Sequence, residues 1–192
     1  MATCNLKHVK QTSDCTENPA GLSSYMFVVP LDAEHFAKNE DDTLAISAKD
    51  DANEYDITPS GGTGLKGFRI DFKSNTGKVS SEHNGEGTGW TVTGTWRVDK
   101  NEDDMAVVGR RLSNKGGGYL CFFPTGKTHP TKGKEWKVVG NPDGDIDYSS
   151  GNDSGQNRND DHGTTPQVVC NFQVYDVTKW YGNISEETVT NE

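Results

Sequence analysis

Hydrophobic side chains are scarce in this chain. They make up 31% of the 192 residues, against about 45–50% in a typical globular domain, a range that also counts glycine. The 22 glycines narrow that gap without supplying side chains to a core. A chain of this length is expected to form one domain, and its core must then be small. Much of the chain is predicted to be loop, extension or surface that meets another subunit.

The chain also has no long apolar run. A membrane-spanning helix needs about 20 mostly apolar residues, and no segment of the sequence approaches that length. The first eight residues, MATCNLKH, lack the apolar stretch of a secretory signal. We therefore expect the protein to be made in the cytoplasm of the producing cell and not to associate with a membrane. Cysteines in that compartment are expected to be reduced thiols. The cysteines are Cys4, Cys15, Cys121 and Cys170.

Catalytic signatures are missing as well. The five histidines are scattered through polar or turn-like segments, and no Gly-x-Ser-x-Gly nucleophile motif occurs. Acidic residues are plentiful, but no pattern selects two of them as a catalytic pair. The sequence therefore predicts a protein that is not an enzyme and uses no cofactor.

Two segments look like ligand-binding motifs but fail on spacing. Cys4, His8 and Cys15 match no zinc-binding pattern. Residues 124–128, PTGKT, end like a phosphate-binding loop, but the position where that motif requires its first glycine is Cys121. We interpret 124–128 instead as the turn of a β-hairpin.

The formal net charge of −10 limits the partners of the chain. An acidic protein does not bind nucleic acid through counterion release over its general surface. Two interpretations of the charge stay open. It favours solubility, or it lines a channel wall to which passing DNA does not adhere.

The clearest structural signal lies at residues 90–98, within a central unit at 89–123. Apolar residues and one glycine alternate there with polar ones, which is typical of a strand with one face in a core and one face outside it. The predicted inward face consists of Trp90, Val92, Gly94, Trp96 and Val98. The predicted outward face consists of Thr91, Thr93, Thr95 and Arg97. We expect that outward face to line a lumen or to meet a neighbouring subunit.

A short helix is predicted directly after this strand, at about 100–114. Asp99 is a suitable N-cap residue, and acidic residues in the first turn with arginines in the last suit the helix dipole. Met105, Val108 and Leu112 recur at helical spacing and form a narrow apolar stripe. Residues 119–123 then form an apolar run that is typical of a strand buried on both faces.

Four further segments have strand patterns. Residues 25–29 are apolar throughout and predict a central strand, while 66–73 and 168–174 alternate and 135–139 pairs with 119–123 across the hairpin. The predicted core consists of Phe68, Ile70, Phe72, Trp90, Val92, Trp96, Val98, Met105, Val108, Leu112, Phe122, Trp136 and Phe172.

The remaining segments are polar or irregular. Residues 1–20 are predicted to be an N-terminal arm, and 21–176 a single β domain with a long irregular loop at 31–66. Within that loop, 44–46 and 55–57 are short strand candidates. A polar tract at 149–166 is long enough to be either disordered or functional. Residues 177–192 are predicted to be a C-terminal docking arm, because two aromatic residues precede a polar end.

The order of these elements between about 65 and 175 resembles the tail tube, or major tail, proteins of tailed bacteriophages, in particular those of phages of gut Bacteroidetes. That family has a strand, a short helix and a strand, followed by a strand ending in Trp-x-x-x-Gly, a polar loop and a final alternating strand. In this chain, Trp136 and Gly140 hold the positions of the Trp-x-x-x-Gly strand end. Gly155 and either Asp160 or Asp161 hold the positions of the polar loop.

The resemblance implies a mainly β fold, a sandwich or barrel flanked by one helix. It also implies homohexameric rings that stack around a DNA-conducting channel, with contacts to other tail proteins. The protein would be located in the virion tail, and DNA would pass without specific binding.

Two other functions remain open from the sequence. One is a capsid decoration or auxiliary virion protein, which would need no lumen. The other is a carbohydrate-binding β-sandwich adhesin, whose sugar platform would use the four tryptophans. These are Trp90, Trp96, Trp136 and Trp180.

Overall fold

The described part of the chain is mainly β, as the sequence predicts, and contains no α-helix. The computed structural model describes residues 24–49, 54–71, 77–83, 85, 90–96, 118–140, 146–150, 166–172 and 179–188, with the backbone alone at 48, 90, 146–150 and 166–172. The predicted helix at about 100–114 and the predicted N-terminal arm at 1–20 lie outside these residues. So do the predicted core residues Phe72, Val98, Met105, Val108 and Leu112, and Arg97 of the predicted outward face.

The strands of the described part are numbered in chain order. They are β1 Tyr25–Pro30, β2 Ile46–Lys49, β3 Glu54–Ile57, β4 Leu65–Asp71, β5 Lys78–His83, β6 Trp90–Thr95, β7 Tyr119–His129, β8 Gly133–Val139, β9 Ile146–Ser150, β10 Pro166–Phe172, β11 Lys179–Tyr181 and β12 Ile184–Glu186. Eight of them form a large sheet in the order β12-β4-β1-β7-β8-β11-β3-β2, and four form a small sheet in the order β5-β6-β10-β9.

The large sheet is curled into a half-barrel. β11 pairs with β8 and β12 pairs with β4, so five strand spacings, or about 24 Å, would separate β11 from β12 if the sheet were flat. Only Gly182 and Asn183 connect the two strands, and three residue steps span at most about 10 Å. The sheet must therefore curl until residues 179–186 bridge β8 and β4.

Aromatic side chains pack along the sheet on the side toward which it curls. The Trp136 ring meets the Phe27 ring edge-on at a centroid distance of 5.7 Å, and Phe122 meets Trp180 at 5.5 Å. The Trp136 indole N–H donates to the Gly182 carbonyl at 2.9 Å, so the polar atom of this buried ring is satisfied. This packing fixes the bridging segment to the centre of the sheet.

The small sheet covers the opposite side of the large sheet. Trp96, which directly follows β6, lies 6.2 Å from Phe123 of β7 between ring centroids. A Cβ built on Gly94 would lie 2.9 Å from the Phe123 ring and 3.2 Å from Val139 of β8. The two sheets therefore form a sandwich whose closest approach requires glycine at position 94.

A single hydrogen-bonded turn follows β1. The backbone N–H of Phe36 donates to the Asp32 carbonyl at 3.0 Å, and the Asp32 carboxylate accepts from the N–H groups of Glu34 and His35. The helical turn that begins at Asp32 thus caps itself. The segment 31–66, predicted to be an irregular loop with short strand candidates at 44–46 and 55–57, contains β2 and β3 and the start of β4, and β3 confirms the candidate at 55–57.

The β7–β8 hairpin is longer than predicted. Cys121 pairs with Val139 and Phe122 with Val138, which confirms the predicted partnership of these two segments. The predicted turn is wrong: residues 124–128 belong to β7 and contain a register shift, and the chain reverses at 130–132. The register shift begins directly after Pro124, which still pairs with Trp136, and proline is tolerated in a sheet next to such an irregularity.

Two strands of the small sheet were missed. No strand was predicted at β5 or at β9, and the last two residues of β9 open the predicted polar tract at 149–166. Both are polar strands, and each is hydrogen-bonded to a neighbour that has a clearer pattern: β5 to β6, and β9 to β10.

The predicted C-terminal docking arm is also wrong for residues 179–186. These residues form β11 and β12 of the large sheet. Trp180 is only 4% exposed and packs on Phe122, because residues 179–186 bridge the curled sheet. The two aromatic residues of the tail are therefore part of the domain.

One predicted core residue is exposed. Phe68 is 37% exposed, although it is a register partner of Val28 in a row that continues through Cys121 to Val139. The small sheet contacts the Val139 end of this row, and Phe68 lies at the other end, so the strand pattern identified its face but not how far that face is covered. The structure buries Ile70, Val92, Trp96, Phe122 and Trp136, while the side chains of Trp90 and Phe172 are outside the described set.

Candidate assembly surface

The outer face of the small sheet is the candidate functional surface. Along β6 and the residue after it, Val92, Gly94 and Trp96 are buried, while Thr91, Thr93 and Thr95 are half-buried. Since successive side chains of a strand point to opposite faces, the threonines point away from the large sheet. The residues predicted for the outward face are thus on it, apart from Arg97, which lies outside the described residues.

Register extends this threonine row across the small sheet. On the β5 side, Lys78, Ser80 and Glu82 pair with Thr95, Thr93 and Thr91. On the β10 side, Gln167, Val169 and Asn171 pair with the same three threonines. On β9, Ser149 and Asp147 pair with Gln167 and Val169. All of these register positions except Val169 hold polar residues.

The composition of this surface limits its chemistry. It consists mainly of threonine, serine, asparagine and glutamine positions, with Val169 in the middle and three charged positions at Lys78, Glu82 and Asp147. Such groups hydrogen-bond to water or to another polar protein surface, and β-branched threonine suits a pleated face. A face of this kind offers no concentrated positive charge to hold phosphates.

Two edge strands delimit the same sheet. β5 is at one edge of the four-stranded sheet and β9 at the other. Edge strands are the positions at which a sheet can be extended by another chain. The small sheet therefore combines a polar face with two edges, whereas its apolar face is used within the subunit.

The other polar clusters among the described residues join segments of the same subunit. Glu54, 9% exposed, accepts from the Lys132 ammonium at 2.9 Å through both carboxylate oxygens. His35, 8% exposed, lies 2.6 Å from Asp32 through Nδ1 and 3.6 Å from a Glu187 oxygen through Nε2. Among the residues the structure describes, no group of three or more histidine, cysteine or acidic side chains could hold a metal ion.

The three tryptophans whose side chains the structure describes do not form a sugar platform. Trp96, Trp136 and Trp180 are 0%, 1% and 4% exposed, and all three pack on other aromatic rings inside the subunit. A carbohydrate platform requires accessible ring faces. The observation that motivated the adhesin hypothesis is thereby removed for these three residues.

Within the described ranges, no helix is long and apolar enough to cross a membrane.

No protein-family model, curated protein or solved structure matches this chain.

Proposed function

We propose that this chain is a virion structural protein, the tail tube subunit of a tailed bacteriophage. In this proposal it forms homohexameric rings that stack around a DNA-conducting channel and contact other tail proteins. It is made in the host cytoplasm and ends in the virion tail. It acts without a cofactor and without catalysis.

The observation that carries the proposal is that the small sheet has one apolar face, which is buried, and one polar face. Val92, Gly94 and Trp96 attach this sheet to the subunit core, while the row of Thr91, Thr93 and Thr95 faces away from that core. A sheet that is polar outward and bounded by edge strands is suited to join copies of itself into a continuous wall. The threonine row would then face the lumen or the neighbouring subunit.

The charge of the chain agrees with this role. DNA that moves through a channel must not adhere to its wall, and strong DNA adhesion requires clustered positive charge. The net charge of −10 and the nearly uncharged middle of the small sheet disfavour such adhesion. The low content of hydrophobic residues also agrees with the tail tube proposal, because a subunit that assembles buries part of its surface only in the oligomer.

Electron microscopy of the purified protein tests the proposal. Negative-stain images, with light scattering after size-exclusion chromatography, should show rings or stacked rings at high protein concentration. Monomers at every concentration and salt would contradict a tube subunit. Trimers or isolated monomers that bind capsids would favour the capsid decoration function instead.

A further inference from the structure

The end of the β7–β8 hairpin is a basic protrusion on an acidic protein. Residues 125–134, here named the basic tip, contain three lysines and no acidic residue. All three lysines, Lys127, Lys132 and Lys134, are exposed. The last well-buried cross-strand pair before the tip is Pro124 and Trp136. The hairpin therefore presents positive charge beyond the hydrophobic core.

The basic tip is braced against its own subunit. Lys132 is bound by both carboxylate oxygens of Glu54 at 2.9 Å. The His129 ring packs edge-on against Tyr181 at 5.3 Å, and His129 Nδ1 accepts from the backbone N–H groups of Thr131 and Lys132. A braced tip loses little conformational freedom when it binds a partner, which favours binding.

Two of the three lysines keep their charge available. Lys132 is neutralised by Glu54, whereas Lys127 and Lys134 form no ion pair within the described residues. They lie on either side of the hairpin, in β7 and β8 respectively. A complementary partner therefore needs a compact pair or trio of negative charges.

The chain itself carries such a group. Glu40, Asp41 and Asp42, here named the acidic turn, are all exposed. Asp42 accepts from the Lys38 ammonium at 3.1 Å, so Glu40 and Asp41 are the two carboxylates of the turn without an ion pair within the described residues. The turn is closed by the Asn39 N–H, which donates to the Thr43 carbonyl at 2.8 Å. The Thr43 hydroxyl donates to the Asp41 carboxylate at 2.6 Å, which holds the pKa of Asp41 below its usual range. Asp41 thus remains ionised to a lower pH than an ordinary aspartate.

We propose that the acidic turn of one copy docks on the basic tip of a neighbouring copy. This rests on the proposed self-assembly, for which it names one of the contacting pairs of surfaces. Two exposed segments of opposite charge on every copy allow the same contact to repeat through an assembly. Charge complementarity of this kind accelerates encounter, fixes the register of the partners and disfavours wrong contacts.

A reciprocal charge reversal tests the contact. Lys127→Glu/Lys134→Glu makes the tip acidic, and Glu40→Lys/Asp41→Lys/Asp42→Asn makes the turn basic, with asparagine at position 42 because it tolerates the positive φ of 66° there. Each variant alone should need roughly tenfold or more protein to assemble, as measured by light scattering at low salt, because like charges then meet. An equimolar mixture of the two should recover assembly.

Controls separate this contact from misfolding and from the assembly itself. Lys66→Glu changes an exposed lysine of β4 and should assemble like the wild type, whereas Lys134→Glu should not. Wild-type assembly should also weaken between about 0.05 and 0.5 M salt, because screening shortens the range of exposed charges. Thermal unfolding verifies that each variant is folded.

Three outcomes overturn the docking contact. If the wild type assembles and both reversed variants assemble equally well at low salt, the contact is wrong while the tail tube proposal stands. If the tip variant instead loses binding of duplex DNA with unchanged self-association, the partner of the tip is nucleic acid. If the wild type never assembles, the proposed function fails and the contact fails with it.

Discussion

The two sheets of this protein use their faces differently. In the large sheet, strand β1 and the first half of β7 are buried on both sides: one side packs in the aromatic interior of the curl, and on the other Phe123 of β7 packs against the small sheet. In the small sheet, β6 buries one side and presents threonines on the other. The large sheet therefore holds most of the buried core of the described residues, and the small sheet presents the threonine face on which the proposed assembly depends.

The largest expected effect is the loss of a tryptophan from the inside of the curled sheet. Trp136→Ala should lower the free energy of unfolding by roughly 3–5 kcal/mol, because it leaves a cavity and removes the bond to the Gly182 carbonyl. Chemical denaturation measures the loss, and the exposed Lys134→Ala on the same strand is the matched control. A loss below about 1 kcal/mol would show that the bridging segment is not anchored through Trp136.

A smaller effect is expected where the two sheets touch. In Gly94→Ala the new Cβ would meet the Phe123 ring at 2.9 Å and Val139 at 3.2 Å. Forcing the sheets apart by this amount should cost about 1–3 kcal/mol, again by denaturation. Ser80→Ala, on the exposed face of neighbouring β5, should stay within about 0.5 kcal/mol. Equal stability of the two variants would contradict a close contact at Gly94.

Much of the difference between the two sheets could be predicted from local sequence patterns alone. Residues 90–96 revealed both faces of β6, because threonine and the apolar residues differ strongly in polarity and alternate strictly. The apolar runs at 25–29 and 119–123 likewise predicted strands buried on both faces. Those signals are local, and they become weak wherever a strand is held mainly by its neighbours in the sheet.

The strands that the sequence did not predict are those that are held mainly by their neighbours in the sheet. β5, with the sequence KVSSEH, has few apolar residues and is held by its ladder to β6, so its own pattern is weak. The three-residue strands β11 and β12 depend on pairing with strands that are distant in sequence, β8 and β4. Phe68 has the period of a core residue, but no local pattern shows where the covering sheet ends. No local pattern in the sequence shows that the acidic turn and the basic tip are both exposed in the folded subunit.

On the open face of the small sheet, a substitution should separate stability from assembly. Thr93→Val keeps the shape and β-branching of a half-buried side chain and should change monomer stability by no more than about 0.5 kcal/mol. Trp96→Ala, on the buried face of the same strand, should cost several kcal/mol. If both variants have small and equal effects on the monomer, the two faces of β6 are assigned wrongly. In the assembly assay, Thr93→Val should alter ring formation although the monomer is unchanged.

The smallest expected effect is the pH dependence of the acidic turn, which lies outside both sheets. The bonds from the Thr43 hydroxyl and N–H lower the pKa of Asp41 in the folded state. A carboxylate with a lowered folded pKa stabilises the fold above its unfolded pKa, near 3.9, and this contribution disappears as the pH falls through the lower folded value. Wild-type stability should therefore decline slightly more below about pH 4 than that of Asp41→Asn. Thr43→Val, which removes the hydroxyl donor, should reduce the pH dependence in the same direction. An identical acid dependence in all three proteins would show that the turn does not hold the Asp41 carboxylate in solution.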